Sequence, residues 1–246
     1  MLSHMKKNAE YFFVGAAVLV VSVGYIWSTV TTRVEPVQWN DGDLVVQRSN
    51  DIPVLPVFGT RTDLPEHIGI VHVTTDGPVV IESIGKVVET PLAAFTRRGK
   101  DARFVAYRMV SLTKEQASTL IVAARSKLGV PGDFFLDADS DHLYSSELVR
   151  VAFHAAGIDV GRTERLGTLA KGNAVAVISM FTGRWTENRP CQRRYLSFDQ
   201  CWEAVAHSEV IAPAALVRDK RFSKVYDSAP PPTKIAADAN ASSPAS

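Results

Sequence analysis

Twenty-two consecutive uncharged residues, YFFVGAAVLVVSVGYIWSTVTT, lie between Glu10 and Arg33, and nothing else in the sequence restricts the chain as strongly. A helix rises about 1.5 Å per residue, so about 20 apolar residues cross the roughly 30 Å hydrocarbon core of a bilayer. Lys6 and Lys7 precede the run, and Tyr11, Tyr25 and Trp27 stand where interfacial aromatics belong. A cleaved signal peptide and a buried core helix are the alternatives. The apolar core is long for a signal peptide, and no small-x-small cleavage site follows it. The run therefore reads as an uncleaved signal-anchor: a cytoplasmic stub over residues 1–10, one transmembrane helix over 11–32, and the rest on the periplasmic, extracytoplasmic side of the inner membrane.

Beyond the anchor, residues 33–39 read as a linker, with Pro36 interrupting any continuation of the helix. Residues 227–246 carry Pro230, Pro231 and Pro232 among small polar residues and have too little apolar surface to offset the entropy of ordering them, so they read as a disordered tail. Residues 40–226 are left as one domain with a sizeable core. The chain has 27 Lys+Arg against 26 Asp+Glu, and this balance argues against nucleic acid as a partner. Two cysteines are too few for a disulfide scaffold, but Cys191 and Cys201 would face an oxidising compartment and could close one small loop.

Strand signals come first in the domain: Asp43–Gln47 after Gly42, His67–Val73, Pro78–Ser83 across an Asp76-Gly77 turn, and Arg103–Met109. The period then changes. Thr113 and Gln116 form a capping box opening a helix that runs to Leu128, and a second helix starts near Tyr144-Ser145 and ends at Gly157. Strands followed by helices, with irregular sequence after Gly161, predict an α+β domain in which a small antiparallel sheet packs on helices.

Three residues combine reactivity with a plausible placement. Ser145 opens a helix, where unpaired N–H groups and the dipole favour developing negative charge. His67 opens a strand on the face of Gly69 and Val71, and Glu82 ends an apolar run on the hairpin partner. Together they have the composition of a nucleophile, a base and an orienting acid. Singly, each has an ordinary reading: an N-cap serine, a strand-end histidine, a solvated hairpin charge.

The motifs Asp41-Gly42-Asp43-Leu44-Val45, His67-Ile68-Gly69-Ile70, Val80-Ile81-Glu82-Ser83-Ile84-Gly85, Leu128-Gly129 to Asp133-Phe134 and Tyr144-Ser145-Ser146-Glu147-Leu148-Val149 occur in that order. Together they resemble the permuted papain-like amidases, the YiiX/YaeF-like, circularly permuted branch of the NlpC-type cell-wall hydrolases. The resemblance runs from about Asp41 to Val225. It implies a circularly permuted papain-like domain, with His67 as base, Glu82 as the orienting residue, and Tyr144 beside the nucleophile as an oxyanion or substrate contact. Where the family has Tyr-Cys-Ser-Glu, this chain has Ser145 in the cysteine's place. A helix start and a neighbouring imidazole can ionise a thiol, but a serine hydroxyl needs a general base during attack. The resemblance thus implies a hydrolase cleaving an amide bond in a cell-wall peptide. Lipid acyl hydrolysis or transfer, as in the lecithin retinol acyltransferase relatives, is the enzymatic alternative, and a degenerate peptide- or lipid-binding protein the non-enzymatic one.

Elsewhere the residues suggest neither a cofactor nor a metal. His72 is an odd number of residues from His67 and should face the other side of its strand. His142 follows an acidic loop, Asp137 to Asp141, that lacks the spacing, glycine and terminal glutamate of an EF-hand. His154 lies within a helix, and Arg184, Arg189, Arg193 and Arg194 are diluted by Glu187 and Asp199.

Overall fold

The computed structural model describes residues 37–49, 66–134, 136, 141–171, 182 and 197–228. The expected anchor over 11–32 and the arginines at 184, 189, 193 and 194 lie outside the described residues. Among those described, no helix is long and apolar enough to cross a membrane.

In chain order the elements are β1 (Leu44–Ser49), β2 (His67–Thr74), β3 (Gly77–Ile84), β4 (Lys86–Pro91), α1 (Leu92–Arg98), β5 (Gly99–Met109), α2 (Lys114–Arg125) and α3 (Ser145–Ala155). Then come β6 (Glu164–Arg165), α4 (Leu166–Ala170), α5 (Phe198–Val205), β7 (Glu209–Val210), α6 (Pro213–Val217) and β8 (Phe222–Asp227). Six strands pair antiparallel in the order β4-β3-β2-β1-β5-β8, and β6 pairs with β7 separately.

Alternation along the strands builds two cores. Leu44, Val46, Ile68, Ile70 and Ile81 point to one face, where α2 (Leu120, Ile121, Ala124) and α3 (Leu148, Val149, Ala152, Phe153) cover them. Val45, Val71, Val80 and Ala106 point to the other, under Leu92 and Phe95 of α1. Each fully buried Val, Leu, Ile or Phe among them contributes roughly 1.5–3 kcal/mol. Helices thus flank the central sheet on both faces, a mixed fold with an antiparallel sheet as expected, but with more strands than the sequence showed.

The capping box at α2 is present: Gln116 N donates to Thr113 Oγ1 at 3.2 Å and Thr113 N to Gln116 Oε1 at 3.1 Å. The helix ends at Arg125, three residues before the expected Leu128, and turns through Gly129, whose φ of 86° suits glycine. Strand β5 begins at Gly99, not Arg103. Asp101 and Ala102 lie at φ 58° and 52°, a left-handed step that strand periodicity does not anticipate. At the C-terminal end the sheet outruns the expected boundary at 226. Asp227 pairs with Val105, and Ser228 N donates to Phe104 O at 3.1 Å while Phe104 N donates to Ser228 Oγ at 2.8 Å.

Candidate active site

The site begins with the hairpin of β2 and β3. Ile70 pairs with Ile81, which sets Gly69 across from Glu82 and makes His67 and Glu82 diagonal neighbours on one face. Gly69 leaves the space between them open. A Cβ there would stand 2.3 Å from Val80 Cγ1 and 3.4 Å from Glu82 Cβ. His67, 3% exposed, brings Nε2 to 2.6 Å from Glu82 Oε2, and its ring stacks on Phe95 of α1 with centroids 5.8 Å apart.

Glu82 is 0% exposed. Burial alone would raise its carboxyl, but the hydrogen bond and charge of His67, the Arg98 guanidinium and a Thr90 hydrogen bond outweigh burial and hold it below the ordinary value. Arg98 Nη2 donates to Glu82 Oε1, and its guanidinium lies 5.7 Å from the Phe95 ring centroid. An ionised Glu82 accepts the Nε2 proton, so the neutral imidazole turns its Nδ1 lone pair away from the carboxylate.

That lone pair faces Ser145, the first residue of α3, whose Oγ is 3.0 Å from His67 Nδ1. The next residue along β3 holds the nucleophile in place. Ser83 points to the opposite face from Glu82 and donates its hydroxyl to Leu143 O at 2.6 Å, while its carbonyl stands 3.1 Å from Ser145 Oγ as the alternative to His67 Nδ1 for the one hydroxyl proton. One strand therefore fixes both halves, Glu82 gripping the base and Ser83 the nucleophile's approach. The amides of Ser145 and Ser146 precede the first intrahelical bond, Leu148 N to Tyr144 O at 3.0 Å, and lie where a helix start favours negative charge.

The cap of α3 is unusual. Tyr144 is the N-cap and makes no side-chain cap bond. Glu147, three residues on, supplies half of a capping box by accepting the Tyr144 backbone N–H. Burial and the nearby Asp133 carboxylate push Glu147 up to about 7, and its Oε2 is buried without a hydrogen-bond partner. Asp133 is brought close by a loop that rides on the turn after β3, with Gly132 N donating to Gly85 O at 2.8 Å. The Tyr144 hydroxyl accepts the Ile211 N–H at 2.9 Å, and burial raises it above its ordinary value. It thus ties the nucleophile's neighbour to the segment leading into α6.

The structure therefore brings together Ser145, His67 and Glu82 as the sequence suggested, with Tyr144 adjoining. Sequence reasoning missed Arg98, Phe95, Ser83, Asp133 and Glu147. His72 points elsewhere, its Nδ1 2.9 Å from Asp41 Oδ1. His154 makes an exposed contact with Asp159 at 2.8 Å, and His142 is exposed. Asp43 of the Gly-Asp motif is buried against Arg108, with two bonds of 2.7 Å, so its part is structural. Cys201, on α5, is disulfide-bonded, and Cys191 lies outside the described residues. Among the described residues no group of three His, Cys, Asp or Glu side chains is placed to hold a metal ion.

Residues 38–226 match the family model described as "Permuted papain-like amidase enzyme, YaeF/YiiX, C92 family". The uncharacterized protein YiiX of Escherichia coli (strain K12) is 33% identical over 128 residues, 51% of this chain and 63% of that protein. The match thus spans somewhat less than two thirds of that relative's length. A crystal structure titled as that of metalloprotein yiiX from Escherichia coli O157:H7 superposes with a TM-score of 0.66 at 24% identity, covering 79% of this chain and 100% of that one. This second likeness concerns the fold.

Proposed function

The chain belongs to the permuted papain-like amidase family, and from that premise we propose a membrane-anchored, periplasm-facing hydrolase that cleaves an amide bond in cell-wall peptides with Ser145 as nucleophile. The observation that carries this reading is the unbroken contact series from Ser145 Oγ to His67 Nδ1 at 3.0 Å and from His67 Nε2 to Glu82 at 2.6 Å.

In the first half-reaction Ser145 Oγ attacks the substrate carbonyl carbon while its proton passes to His67 Nδ1. The carbonyl oxygen takes up negative charge at the start of α3, where the Ser145 and Ser146 amides stabilise it. Collapse breaks the C–N bond, the imidazolium returns the proton to the departing amine, and an ester on Ser145 remains. Water then adds with the same base, and Ser145 regains its proton as the acid leaves. Throughout, Glu82 stays a carboxylate and holds the ring by Nε2. The Tyr144 hydroxyl oxygen accepts the Ile211 N–H and so places the loop, and the oxyanion is assigned to the helix-start amides. The solved relative is described as a metalloprotein. Among the described residues here no group of three His, Cys, Asp or Glu side chains is placed to hold a metal ion.

The test uses the full-length chain with a serine-directed fluorophosphonate and with labelled cell-wall peptides and phospholipids. Ser145 should be labelled, with labelling lost in Ser145→Ala and in His67→Ala, and peptide turnover should exceed that of Ser145→Ala. Turnover of phospholipid alone would move the reading to a lipid acyl hydrolase. No turnover above Ser145→Ala on any substrate, together with gain of activity in Ser145→Cys, would sink the serine mechanism. A reporter fused after Val225 should be active only outside the cytoplasm, and cytoplasmic activity would remove the anchor.

A further inference from the structure

A cysteine and a serine ask opposite things of the histidine beside them. A thiolate is stabilised by an imidazolium, so a cysteine site gains from a carboxylate that draws a proton onto the ring. A serine needs the ring neutral, because a protonated imidazole has no lone pair with which to accept the hydroxyl proton. A fully buried carboxylate with His67 as its only partner would favour the wrong state for serine, since a lone buried charge recruits a counter-ion.

Here Glu82 has a second partner. One carboxylate oxygen receives His67 Nε2 at 2.6 Å, and the other receives Arg98 Nη2. Arginine stays charged at every relevant pH. The carboxylate is thus neutralised before the imidazole is asked to do so, and the guanidinium is kept near His67 by lying over Phe95, on which the His67 ring also stacks. The other polar groups do not substitute for it. From β4, Thr90 gives Glu82 a neutral hydrogen bond. Glu66, beside His67 in sequence, is paired with Arg48 at 3.3 Å. From β1, Gln47 pairs across from His67 and is neutral. On the nucleophile's side, Glu147 and Asp133 are acidic and would only favour protonation of the ring.

We propose that Arg98 is the positioning residue that suits this site to a serine: by sharing the Glu82 carboxylate it keeps His67 neutral, so that Nδ1 can take the Ser145 proton. This rests on the reading of Ser145 as nucleophile, and Arg98 acts through Glu82 without touching substrate.

Two readouts on the full-length chain separate the ideas. The first is the pH profile of fluorophosphonate labelling. The second is the titration of His67 by NMR with 13C-labelled histidine in a Ser145→Ala background, which needs no reactive serine; His67→Gln assigns the signal among the six histidines. In Arg98→Gln and Arg98→Met, either of which suffices if the other fails to fold, both midpoints should move to higher pH by roughly one unit, the low end of the effect of a nearby charge. Labelling near pH 6 should then fall severalfold while the alkaline plateau stays close to wild type. Arg98→Lys keeps the charge and should keep the wild-type midpoint. Unmoved midpoints in a folded neutral variant overturn the proposal, as does an equal shift in Arg98→Lys. If wild type is not labelled at any pH, the nucleophile reading falls, and the NMR titration still decides what Arg98 does to His67.

Discussion

Two glutamates flank the same nucleophile, one fully and one partly buried, and the fold treats them in opposite ways. Glu82, on the sheet, is met by an imidazole, a guanidinium and a hydroxyl, and is held ionised. Glu147, on the first turn of α3, receives one backbone N–H, faces another carboxylate and titrates near neutrality, at about 7. Glu82 is the more deeply buried of the two, and burial alone would raise it more, so burial does not explain the difference; the sign of the nearest charge does. Where two carboxyls in one site are pushed apart in this way, one is suited to stay charged and the other to carry a proton. On the side holding the base, both Glu82 oxygens are hydrogen-bonded, one by His67 and the other by Arg98. The side holding the nucleophile keeps buried polar atoms unsatisfied, Ser146 Oγ and Glu147 Oε2 among them.

The contrast breaks most visibly at Glu82. Replacing it by Ala takes the carboxylate from both Arg98 and His67, and should cost about 3–5 kcal/mol in urea unfolding, the range for a buried pair that loses one member. A loss under about 1 kcal/mol would mean that the pair is not held as described.

Glu147 gives the next effect, with a sign that opposes that of Glu82. An acid whose folded pKa is raised supports stability below its ordinary value and loses that support as pH rises through about 7. Glu82, held low, supports stability above the ordinary carboxylate range and loses it as acid protonates the group. Glu147→Gln should therefore flatten the decline in stability between about pH 5 and 8 by on the order of 1 kcal/mol, less than the full shift implies because solvent reaches part of the group. Parallel urea midpoints for wild type and variant across that range would remove Glu147 from the comparison.

An effect of similar size to that at Glu147 is expected at Tyr144. Tyr144→Phe leaves the Ile211 N–H without its acceptor and should cost about 1–2 kcal/mol. Fluorophosphonate labelling of the variant should stay within a few-fold of wild type if helix-start amides hold the oxyanion. A loss of roughly 10²-fold or more would assign the oxyanion to the tyrosine hydroxyl.

Where function coincides with periodicity, the sequence was readable. His67 and Glu82 lie on strands whose alternation is clean, and Ser145 lies at the change from loop to amphipathic helix, so their faces followed from spacing alone. Arg98 did not. It ends a seven-residue helix in the stretch Thr96-Arg97-Arg98-Gly99-Lys100, which reads as a solvated basic run. Its partner is 16 residues away, across a strand and a turn. Ser83 was passed over because a serine next to an acid on a strand looks like a solvent-facing position, whereas both faces of this sheet are covered. Strand β8 was hidden because it pairs with β5 more than a hundred residues earlier, and no local pattern records a partner that distant. The shift at Glu147 needs Asp133, which a glycine contact between two turns brings near.

The separations also order events in time. The imidazole and its carboxylate are 15 residues apart in one hairpin, whereas the serine hydroxyl meets that imidazole across 78 residues. Contacts closing short loops form before those closing long ones. The reactive pair is therefore assembled only when α3 docks on the β2–β3 hairpin, and a chain emerging N-terminus first carries the base long before the nucleophile it would activate.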